Sequence, residues 1–330
     1  MRIFLPTLLF ILLTGACTAP RPTVTNEPAP MIAATRSTFD VQGHRGARGL
    51  QPENTLPAFE TALDLGVTTL ELDLHYTADG QVVVWHDPQI SADKCRLSPT
   101  ATPPLPPDPD RDPAPLIRQL TMAQLKAYIC DRNPDRDRFP LQQATATELA
   151  GANYTLATLA ELFDFVANYA ESDLKNQRQR SGAEQVLFNL ETKRKINNPA
   201  AIGDGFDGQH AGPFEEAIVA LILATDLIDR TIIQSFDHRS LWAVGRLEPR
   251  IRLAALTSRQ FELENYAESG AVIWSPGYQD LSAQLVEQAH ALGLQVIPWT
   301  VNEPADMQHL IDLDVDGIIT DRPDLLLEAE

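Results

Sequence analysis

Two histidines in this sequence lie where they could transfer protons. His44 stands in a Gly-His-Arg-Gly segment, and His86 is followed directly by Asp87. Imidazole titrates near neutral pH, so both side chains are candidates for a general acid and a general base. Each segment alone is also typical of a surface turn. A catalytic role therefore requires a fold that brings the two histidines together.

Three carboxylates belong to residue pairs whose spacing places both side chains of a pair on the same side of a strand. Glu71 and Asp73 are two residues apart, as are Glu191 and Lys193, and side chains at that spacing share a strand face. Carboxylate oxygens are the ligands that Ca²⁺ and Mg²⁺ prefer, so Glu71, Asp73 and Glu191 predict a site for one divalent cation. A solvated strand face is the alternative for each pair taken alone.

Positive and aromatic side chains complete a set suited to a phosphate ester. Arg45 and Lys193 would supply positive charge for an anionic group. Trp299 would either wall a ligand pocket or pack in the core. A divalent cation, two proton-transfer groups and local positive charge together indicate cleavage of a phosphoester.

The pattern of apolar residues predicts the elements that would hold these groups. From residue 40 onward, short apolar strands alternate with helical segments such as 54–66 and 281–292. Asn54 and Thr55 are the candidate caps of the first of these helices, and Gly66 is its predicted end. We predict strands at 41–44, 68–74, 82–85, 186–190, 231–234, 251–256, 272–274, 294–299 and 317–320. The connection between the second and third strands contains Asp79-Gly80. It is too short for a parallel crossover and is typical of an antiparallel hairpin.

The remaining eight strands predict a (β/α)₈ TIM barrel of the α/β class, with a small insertion after the hairpin of the second strand. A doubly wound open sheet is the alternative, but no Gly-x-Gly-x-x-Gly turn follows a predicted strand. In a barrel the C-terminal strand ends form the active site, and the candidate residues all fall at such ends or on the hairpin. The hairpin should also place Asp73 nearly opposite His86.

The composition excludes two classes of partner. The chain has 330 residues, with 26 Lys and Arg against 45 Asp and Glu and a net charge of −19. Nucleic-acid binding and electrostatic docking on anionic lipid both need a basic surface. The length accommodates either two domains or one barrel of about 250 residues with additions.

The N-terminal residues predict export. An apolar run at 3–13 is too short to span a membrane and suits a signal peptide, and the small residues before Cys17 resemble a bacterial lipoprotein signal. An ordinary signal peptide is the alternative. We predict a signal segment at 1–17, a lipid anchor at Cys17 as the membrane contact, a flexible Pro/Thr-rich tether at 18–37, and a periplasmic or cell-envelope location.

Cys95 and Cys130 flank a proline-rich stretch at 99–115, which predicts an exposed loop. In an oxidising compartment two such cysteines are expected to form a disulfide, and two unpaired buried thiols are the alternative. Their spacing is not that of a zinc site. The predicted barrel thus occupies residues 38–330, with an insertion at about 95–130.

Ordered motifs span residues 40–325. They are Gly43-His44-Arg45-Gly46, Pro52-Glu53-Asn54-Thr55, Glu71-Leu72-Asp73, Asp79-Gly80, Val83-Val84-Trp85-His86-Asp87, Glu191-Thr192-Lys193, Ser235-Phe236, Trp299-Thr300-Val301-Asn302 and Asp316-Gly317-Ile318-Ile319-Thr320-Asp321-Arg322-Pro323. Together they resemble the glycerophosphodiester phosphodiesterase family. The resemblance implies a (β/α)₈ barrel that hydrolyses deacylated phospholipids, such as glycerophosphocholine, to sn-glycerol 3-phosphate and an alcohol.

The same resemblance implies a role for each candidate residue. His44 and His86 would be the acid/base pair, and Glu71, Asp73 and Glu191 would bind Ca²⁺ or Mg²⁺. Arg45 and Lys193 would contact phosphate, Trp299 would wall the glycerol pocket, and Glu53 would support the metal or the substrate.

Two segments, 95–130 and 197–212, depart from a compact family member and are expected beside the active site. The alternatives to the implied function are a related lipid phosphodiesterase, of the sphingomyelinase-D or phosphoinositide-cleaving type, and a non-catalytic binding barrel.

Overall fold

The structure is a computed structural model that describes residues 39–103, 105–259 and 261–329. The predicted signal segment, Cys17 and the predicted tether lie outside these residues. Within the described ranges, no helix is both long enough and apolar enough to cross a bilayer.

Eight parallel strands form the centre of the fold. The strands of the chain are β1 Asp40–Gly43, β2 Thr69–Tyr76, β3 Val82–Val84, β4 Arg96–Leu97, β5 Tyr128–Ile129, β6 Leu187–Thr192, β7 Thr231–Ser235, β8 Arg252–Thr257, β9 Ile273–Pro276, β10 Gln295–Val296 and β11 Gly317–Thr320. The parallel strands lie in the order β10-β9-β8-β7-β6-β2-β1-β11. Asp316 N donates to Val296 O (2.9 Å) and Ile319 N to Pro298 O (2.9 Å), which joins the two ends. The predicted barrel is confirmed.

Helices follow most of the parallel strands and cover the sheet. They are α1 Leu56–Leu65, α3 Leu159–Glu171, α4 Gln177–Gln185, α5 Pro213–Ala224, α6 His238–Leu247, α7 Leu263–Glu268, α8 Ala283–Ala291, α9 Pro304–Asp312 and α10 Pro323–Ala329. The short helix α2 Met122–Leu125 lies apart from them, in the connection between β3 and α3. The main apolar core lies between these helices and the strands, and buried isoleucines such as Ile232 and Ile319 fill part of the barrel interior.

Helix α1 begins and ends near its predicted limits. Thr55 Oγ1 accepts from Ala58 N–H (3.4 Å), and Gly66 ends the helix with a φ of 97°, a left-handed conformation that costs glycine little. Asn54 was the other predicted cap, and that prediction is wrong. Asn54 has a φ of 56°, and its side chain bonds to Asp73 instead.

The β2–β3 hairpin is antiparallel, as predicted, with Leu74 opposite Val84. Trp85 N–H donates to Asp73 O (2.9 Å), so Trp85 is the direct neighbour of Asp73 and His86 lies one residue further along. The predicted register was therefore one residue from the observed one.

An inserted segment, residues 85–158, connects β3 to α3. Its strands β4 and β5 pair antiparallel, the disulfide Cys95–Cys130 is present, and both cysteines belong to a small separate apolar core. The predicted disulfide is confirmed. The segment is longer than the predicted 95–130. Its second half attaches to the barrel through polar contacts, such as the hydrogen bond from Gln142 Nε2 to Arg48 O (2.7 Å). Because such contacts produce no apolar periodicity in the sequence, this half of the segment was not predicted.

Candidate active site

The predicted site residues meet at the C-terminal end of the barrel strands, around a cavity of about 340 Å³. Seven of the eight line this cavity: His44, Arg45, Glu71, His86, Glu191, Lys193 and Trp299. The eighth, Asp73, is completely buried beside them. The structure thus brings together residues that are up to 255 positions apart, from His44 to Trp299.

Glu71, Asp73 and Glu191 form what we call the carboxylate cluster. Strands β2 and β6 are parallel neighbours with Asp73 opposite Glu191, and Glu71 lies on the same face as Asp73. One oxygen of each residue lies within 4.8 Å of one oxygen of the other two, and all three residues are buried. The regular geometry of two adjacent strands is therefore sufficient to create a set of oxygen ligands.

Both oxygens of Glu71 accept hydrogen bonds. Gln234 Nε2 donates to Oε1 (2.8 Å), and the Arg45 backbone N–H donates to Oε2 (2.9 Å). Burial, together with the charges of Asp73 and Glu191, raises the pKa of Glu71 well above its ordinary value. Glu71 therefore lies in a region short of positive charge.

Asp73 has one well-bonded oxygen and one that is not hydrogen-bonded. Its Oδ2 accepts from Asn54 Nδ2 (2.8 Å), whereas the buried Oδ1 has no hydrogen-bond partner, although Lys193 Nζ lies 3.3 Å away. Burial alone would raise the pKa of Asp73, but Lys193 and Arg45 hold it well below its usual range. An ionised buried carboxylate with a free oxygen is suited to binding a cation.

The two predicted phosphate-contacting cations line the cavity but are already paired. Lys193 Nζ lies 2.7 Å from Glu191 Oε1. Arg45 Nη1 lies 2.8 Å from Glu53 Oε2, and its Nε lies 3.1 Å from Asp73 Oδ2. Glu53 thus neutralises Arg45 and is not part of the carboxylate cluster.

Negative charge exceeds positive charge around the cavity. The acids are Glu53, Glu71, Asp73, Asp87, Glu191 and Asp321, and the cations are Arg45, Arg48, Lys94 and Lys193. With neutral histidines and all six carboxylates ionised, as they would be around a bound cation, these groups carry a net charge of −2. Asp135 and Arg138, which also line the cavity, cancel each other. One divalent cation would neutralise the site, so the residues present fit such an ion.

His44 is held by two charged neighbours. Its Nδ1 lies 2.6 Å from Asp321 Oδ1, and Arg48 binds both oxygens of the same carboxylate, at 2.7 and 2.9 Å. A carboxylate only accepts, so Nδ1 carries the proton and Nε2 is the free acceptor, 3.9 Å from Glu71 Oε2. Burial and the charge of Arg48 lower the pKa of His44 to about 3.

His86 is oriented in a similar way, through a contact between its Nδ1 and a neighbouring carboxylate. Its Nδ1 lies 2.6 Å from Asp87 Oδ1. Asp87 Oδ2 in turn accepts from Lys94 Nζ (2.5 Å), which also donates to Glu53 Oε1 (2.8 Å). We call Glu53, His86, Asp87 and Lys94 the insertion-side cluster, because all of them except Glu53 belong to the inserted segment.

Trp299 both packs and lines the cavity. Its Nε1 donates to Ser275 O (3.0 Å), and its ring meets Phe236 edge to face at 5.4 Å. The inserted segment contributes further lining residues between 134 and 139. The segment 197–212, which is described throughout, follows the loop after β6 that carries Lys193 but contributes no lining residue. Its Asp204 is instead paired with Arg194.

Sequence reasoning missed several residues that shape the site. Asn54, Gln234 and Asp321 bond to candidate residues. Arg48 and Lys94 contact Glu53, at 3.5 and 2.8 Å. Asn54 and Asp321 lie within the motifs that resemble the family, and their place in those motifs could have identified them as site residues. Lys94 carried no such signal, because it lies in a stretch without a periodic pattern, 7 residues from Asp87 and 41 residues from Glu53.

Comparison with known families matches residues 44–325 to the Glycerophosphoryl diester phosphodiesterase family. The chain belongs to this family. It is therefore a phosphoric diester hydrolase, and the predicted enzyme class is confirmed.

Relatives and solved structures agree over most of the chain. A glycerophosphodiester phosphodiesterase of Caldanaerobacter subterraneus is 26% identical over 87% of this chain and 96% of its own length. One of Bacillus subtilis is 27% identical over 86% and 83%. A putative glycerophosphoryl diester phosphodiesterase structure from Silicibacter pomeroyi has a TM-score of 0.69 at 28% identity and covers 89% of this chain and 93% of its own.

A phosphodiesterase structure from Oleispira antarctica, in complex with the product sn-glycerol-3-phosphate, shares the fold. Its TM-score is 0.63 at 20% identity, over 88% of this chain and 96% of that one.

Proposed function

We propose that this family member hydrolyses glycerophosphodiesters to sn-glycerol 3-phosphate and an alcohol, with one divalent cation and with His44 and His86 as proton-transfer groups. The observation that carries the proposal is the arrangement of two imidazoles, each fixed through Nδ1 to a carboxylate, in one cavity with the buried carboxylate cluster. The product held by the Oleispira antarctica phosphodiesterase is consistent with it.

Glu71, Asp73 and Glu191 would hold the cation, Ca²⁺ or Mg²⁺. Asp73 Oδ1, which accepts no hydrogen bond, and the charge of −2 that the ionised carboxylates give the cavity support this assignment. A bound divalent cation would draw charge from the phosphoryl group and lower its repulsion by the site. Arg45 and Lys193 line the same cavity and would contact the phosphate.

The positions of the two histidines favour different proton-transfer roles. His44 Nε2 faces Glu71 in the buried part of the site, whereas the His86 side chain is 27% exposed. We assign His44 as the base that removes the proton of the attacking hydroxyl, as its oxygen bonds to phosphorus. His86 then protonates the alcohol oxygen as the bond from phosphorus to that oxygen breaks.

Two routes use these same groups. If the attacking hydroxyl belongs to the glycerol, a cyclic glycerophosphate forms and water opens it in a second step. If the attacking group is water, sn-glycerol 3-phosphate forms directly. In both routes Trp299, with Phe236 beside it, would wall the glycerol side of the cavity.

The test is incubation of the purified protein with glycerophosphocholine and Ca²⁺ or Mg²⁺, with sn-glycerol 3-phosphate as the measured product. We expect release of sn-glycerol 3-phosphate and choline in equal amounts. Glycerophosphoethanolamine in parallel reports on the alcohol. Cleavage of only intact lipids, such as lysophosphatidylcholine or sphingomyelin, would indicate a lipid phosphodiesterase instead. No turnover of any diester would indicate a binding protein.

We also propose that the protein is exported and lipid-anchored at Cys17. The support is the apolar run at 3–13 before Cys17 and the Cys95–Cys130 disulfide, since disulfides persist in oxidising compartments. Full-length protein should partition with membranes, and the Cys17→Ala variant should not. Wild-type protein in the soluble fraction would contradict the anchor.

A further inference from the structure

Lys94 links two carboxylates that come from different parts of the site. Its Nζ lies 2.5 Å from Asp87 Oδ2 and 2.8 Å from Glu53 Oε1, and its side chain is only 13% exposed. Glu53 already has Arg45 at 2.8 Å and Arg48 at 3.5 Å. Neutralising Glu53 therefore does not require Lys94, and its contact with Asp87 needs another explanation.

The backbone of Lys94 is fixed by the inserted segment. Its N–H donates to Ser91 O (3.3 Å), and its carbonyl accepts from Arg132 N (3.1 Å). The next residue, Cys95, is completely buried and bonded to Cys130. The disulfide and these hydrogen bonds hold Lys94 at one place over the barrel end, even though no regular strand or helix contains it.

His86 depends on such support more than His44 does. The side chains of His86 and Asp87 are 27% and 24% exposed, against 11% for His44, so packing restricts them less. Asp87 binds His86 through Oδ1 and Lys94 through Oδ2. With both oxygens in charge-assisted bonds, the carboxylate cannot rotate without breaking one of them.

We propose that Lys94 is a positioning residue: through Asp87 it holds the His86 ring so that Nε2 points at the leaving alcohol. The part of the inserted segment beside the disulfide thereby supports proton transfer by His86. This inference rests on the proposed function, in which His86 is the acid.

The test compares two leaving groups. Choline leaves as an alkoxide that needs a proton, whereas p-nitrophenol leaves as a stable anion. Lys94→Met removes the ammonium but keeps most of the side-chain length. Lys94→Arg keeps a cation that can donate to both carboxylates. Lys126→Met is the matched control, since Lys126 pairs with Glu161 at 2.6 Å in a more exposed part of the same segment.

We expect Lys94→Met to lower kcat on glycerophosphocholine about 10- to 100-fold, less than removal of an acid itself, with KM little changed. On the glycerol phosphodiester of p-nitrophenol, kcat should fall by less than about threefold, because no proton is needed. Lys94→Arg should restore most of the activity on glycerophosphocholine, and Lys126→Met should behave as wild type on both substrates.

The ratio of the two kcat values does not depend on the fraction of folded enzyme. An equal loss on both substrates, or an unchanged kcat in Lys94→Met, would overturn the inference and leave Lys94 a structural residue. If Lys94→Met does not fold, Lys94→Gln is measured in the same way. Wild-type protein without activity on either diester would instead contradict the proposed function.

Discussion

The carboxylate cluster and the insertion-side cluster contain similar residue types but differ in how fully nearby cations compensate their acids. Each brings three potential ligand groups within 4.8 Å of one another: Glu71, Asp73 and Glu191 in the first, and Glu53, His86 and Asp87 in the second. In the first, the pKa of Glu71 is raised well above its usual value by burial and by its acidic neighbours. In the second, the pKa values of Glu53 and Asp87 are lowered below their usual range. Nearby cations outweigh the effect of burial at Glu53, and the hydrogen bond with His86, together with Lys94, outweighs it at Asp87.

The difference lies in where the compensating charge comes from. Lys94 is shared between Glu53 and Asp87, and Arg45 and Arg48 add to Glu53, so the insertion-side cluster needs no external ion. The three acids of the carboxylate cluster share Lys193, which contacts Asp73 and Glu191, and Arg45, which contacts Asp73 as well as Glu53. Asp73 Oδ1 is left without a hydrogen bond. Acidic residues that lie close together therefore indicate a cation site only where the protein's own cations are too few.

The largest expected effect comes from removing the cation. Because the site would then repel the anionic diester, chelation with EDTA should lower kcat/KM by about 10³-fold or more, corresponding to several kcal/mol. Added Ca²⁺ or Mg²⁺ should restore activity.

Equilibrium binding of Ca²⁺ separates the two clusters. Glu191→Gln should abolish binding and Glu53→Gln should leave it in place. Full activity in EDTA would contradict the cation requirement. Loss of Ca²⁺ binding in Glu53→Gln but not in Glu191→Gln would place the cation in the insertion-side cluster instead.

The next largest effect should come from the histidines, one beside each cluster. His44→Ala and His86→Ala should each lower kcat by ~10²–10⁴-fold if both transfer protons in the rate-limiting step. On the glycerol phosphodiester of p-nitrophenol, only the His44 variant should remain strongly impaired. His210→Ala is the control, because His210 is 81% exposed and pairs with Asp207 on the surface. Losses below about tenfold in both variants would contradict the proton-transfer roles.

The two clusters also differ in how far sequence could predict them. Strand periodicity placed Glu71, Asp73 and Glu191 on neighbouring strand faces, since a strand repeats every two residues and parallel neighbours keep a fixed register. The barrel followed from counting such strands. The Asn54 cap prediction failed because Asn54 adopts a left-handed φ, and a bond to Asp73, nineteen residues away, takes its side chain.

Lys94 and Arg48 could not be predicted, for a related reason. Their partners are Asp87, Glu53 and Asp321, and the loops that carry them have no periodic pattern. Contacts of this kind are determined by tertiary packing of irregular backbone. The segment 197–212 shows the converse, since an unusual sequence near the site strand did not reach the cavity.

A smaller effect should follow from Gln234, which supports the carboxylate cluster from the barrel interior. Gln234→Leu removes the donor to Glu71 Oε1, and loss of such a supporting bond should weaken cation affinity about 10- to 100-fold. The apparent Ca²⁺ or Mg²⁺ requirement should rise, and excess cation should recover most of the rate. Gln308→Leu, on the surface of α9 next to Asp312, should change neither. A loss of activity in Gln234→Leu that excess cation does not restore would mean that Gln234 acts on a step other than cation binding.

The smallest effect on turnover, with the largest on stability, should come from the disulfide beside the insertion-side cluster. Its cysteines are 35 residues apart, and freeing a loop of that length should cost ~3–4 kcal/mol of unfolding free energy in a chain-entropy treatment. In Cys95→Ala/Cys130→Ala the backbone at Lys94 loses one of its restraints, but the bonds to Ser91 and Arg132 remain.

We therefore expect the double cysteine variant to have a clearly lower denaturant midpoint, a several-fold lower kcat on glycerophosphocholine and an unchanged Ca²⁺ affinity. Ca²⁺ affinity should not change, because strands β2 and β6 hold the carboxylate cluster independently of the inserted segment. If Ca²⁺ affinity falls together with kcat, the two clusters are mechanically coupled, and Arg45, which contacts Glu53 and Asp73 at once, is the residue that would transmit the change.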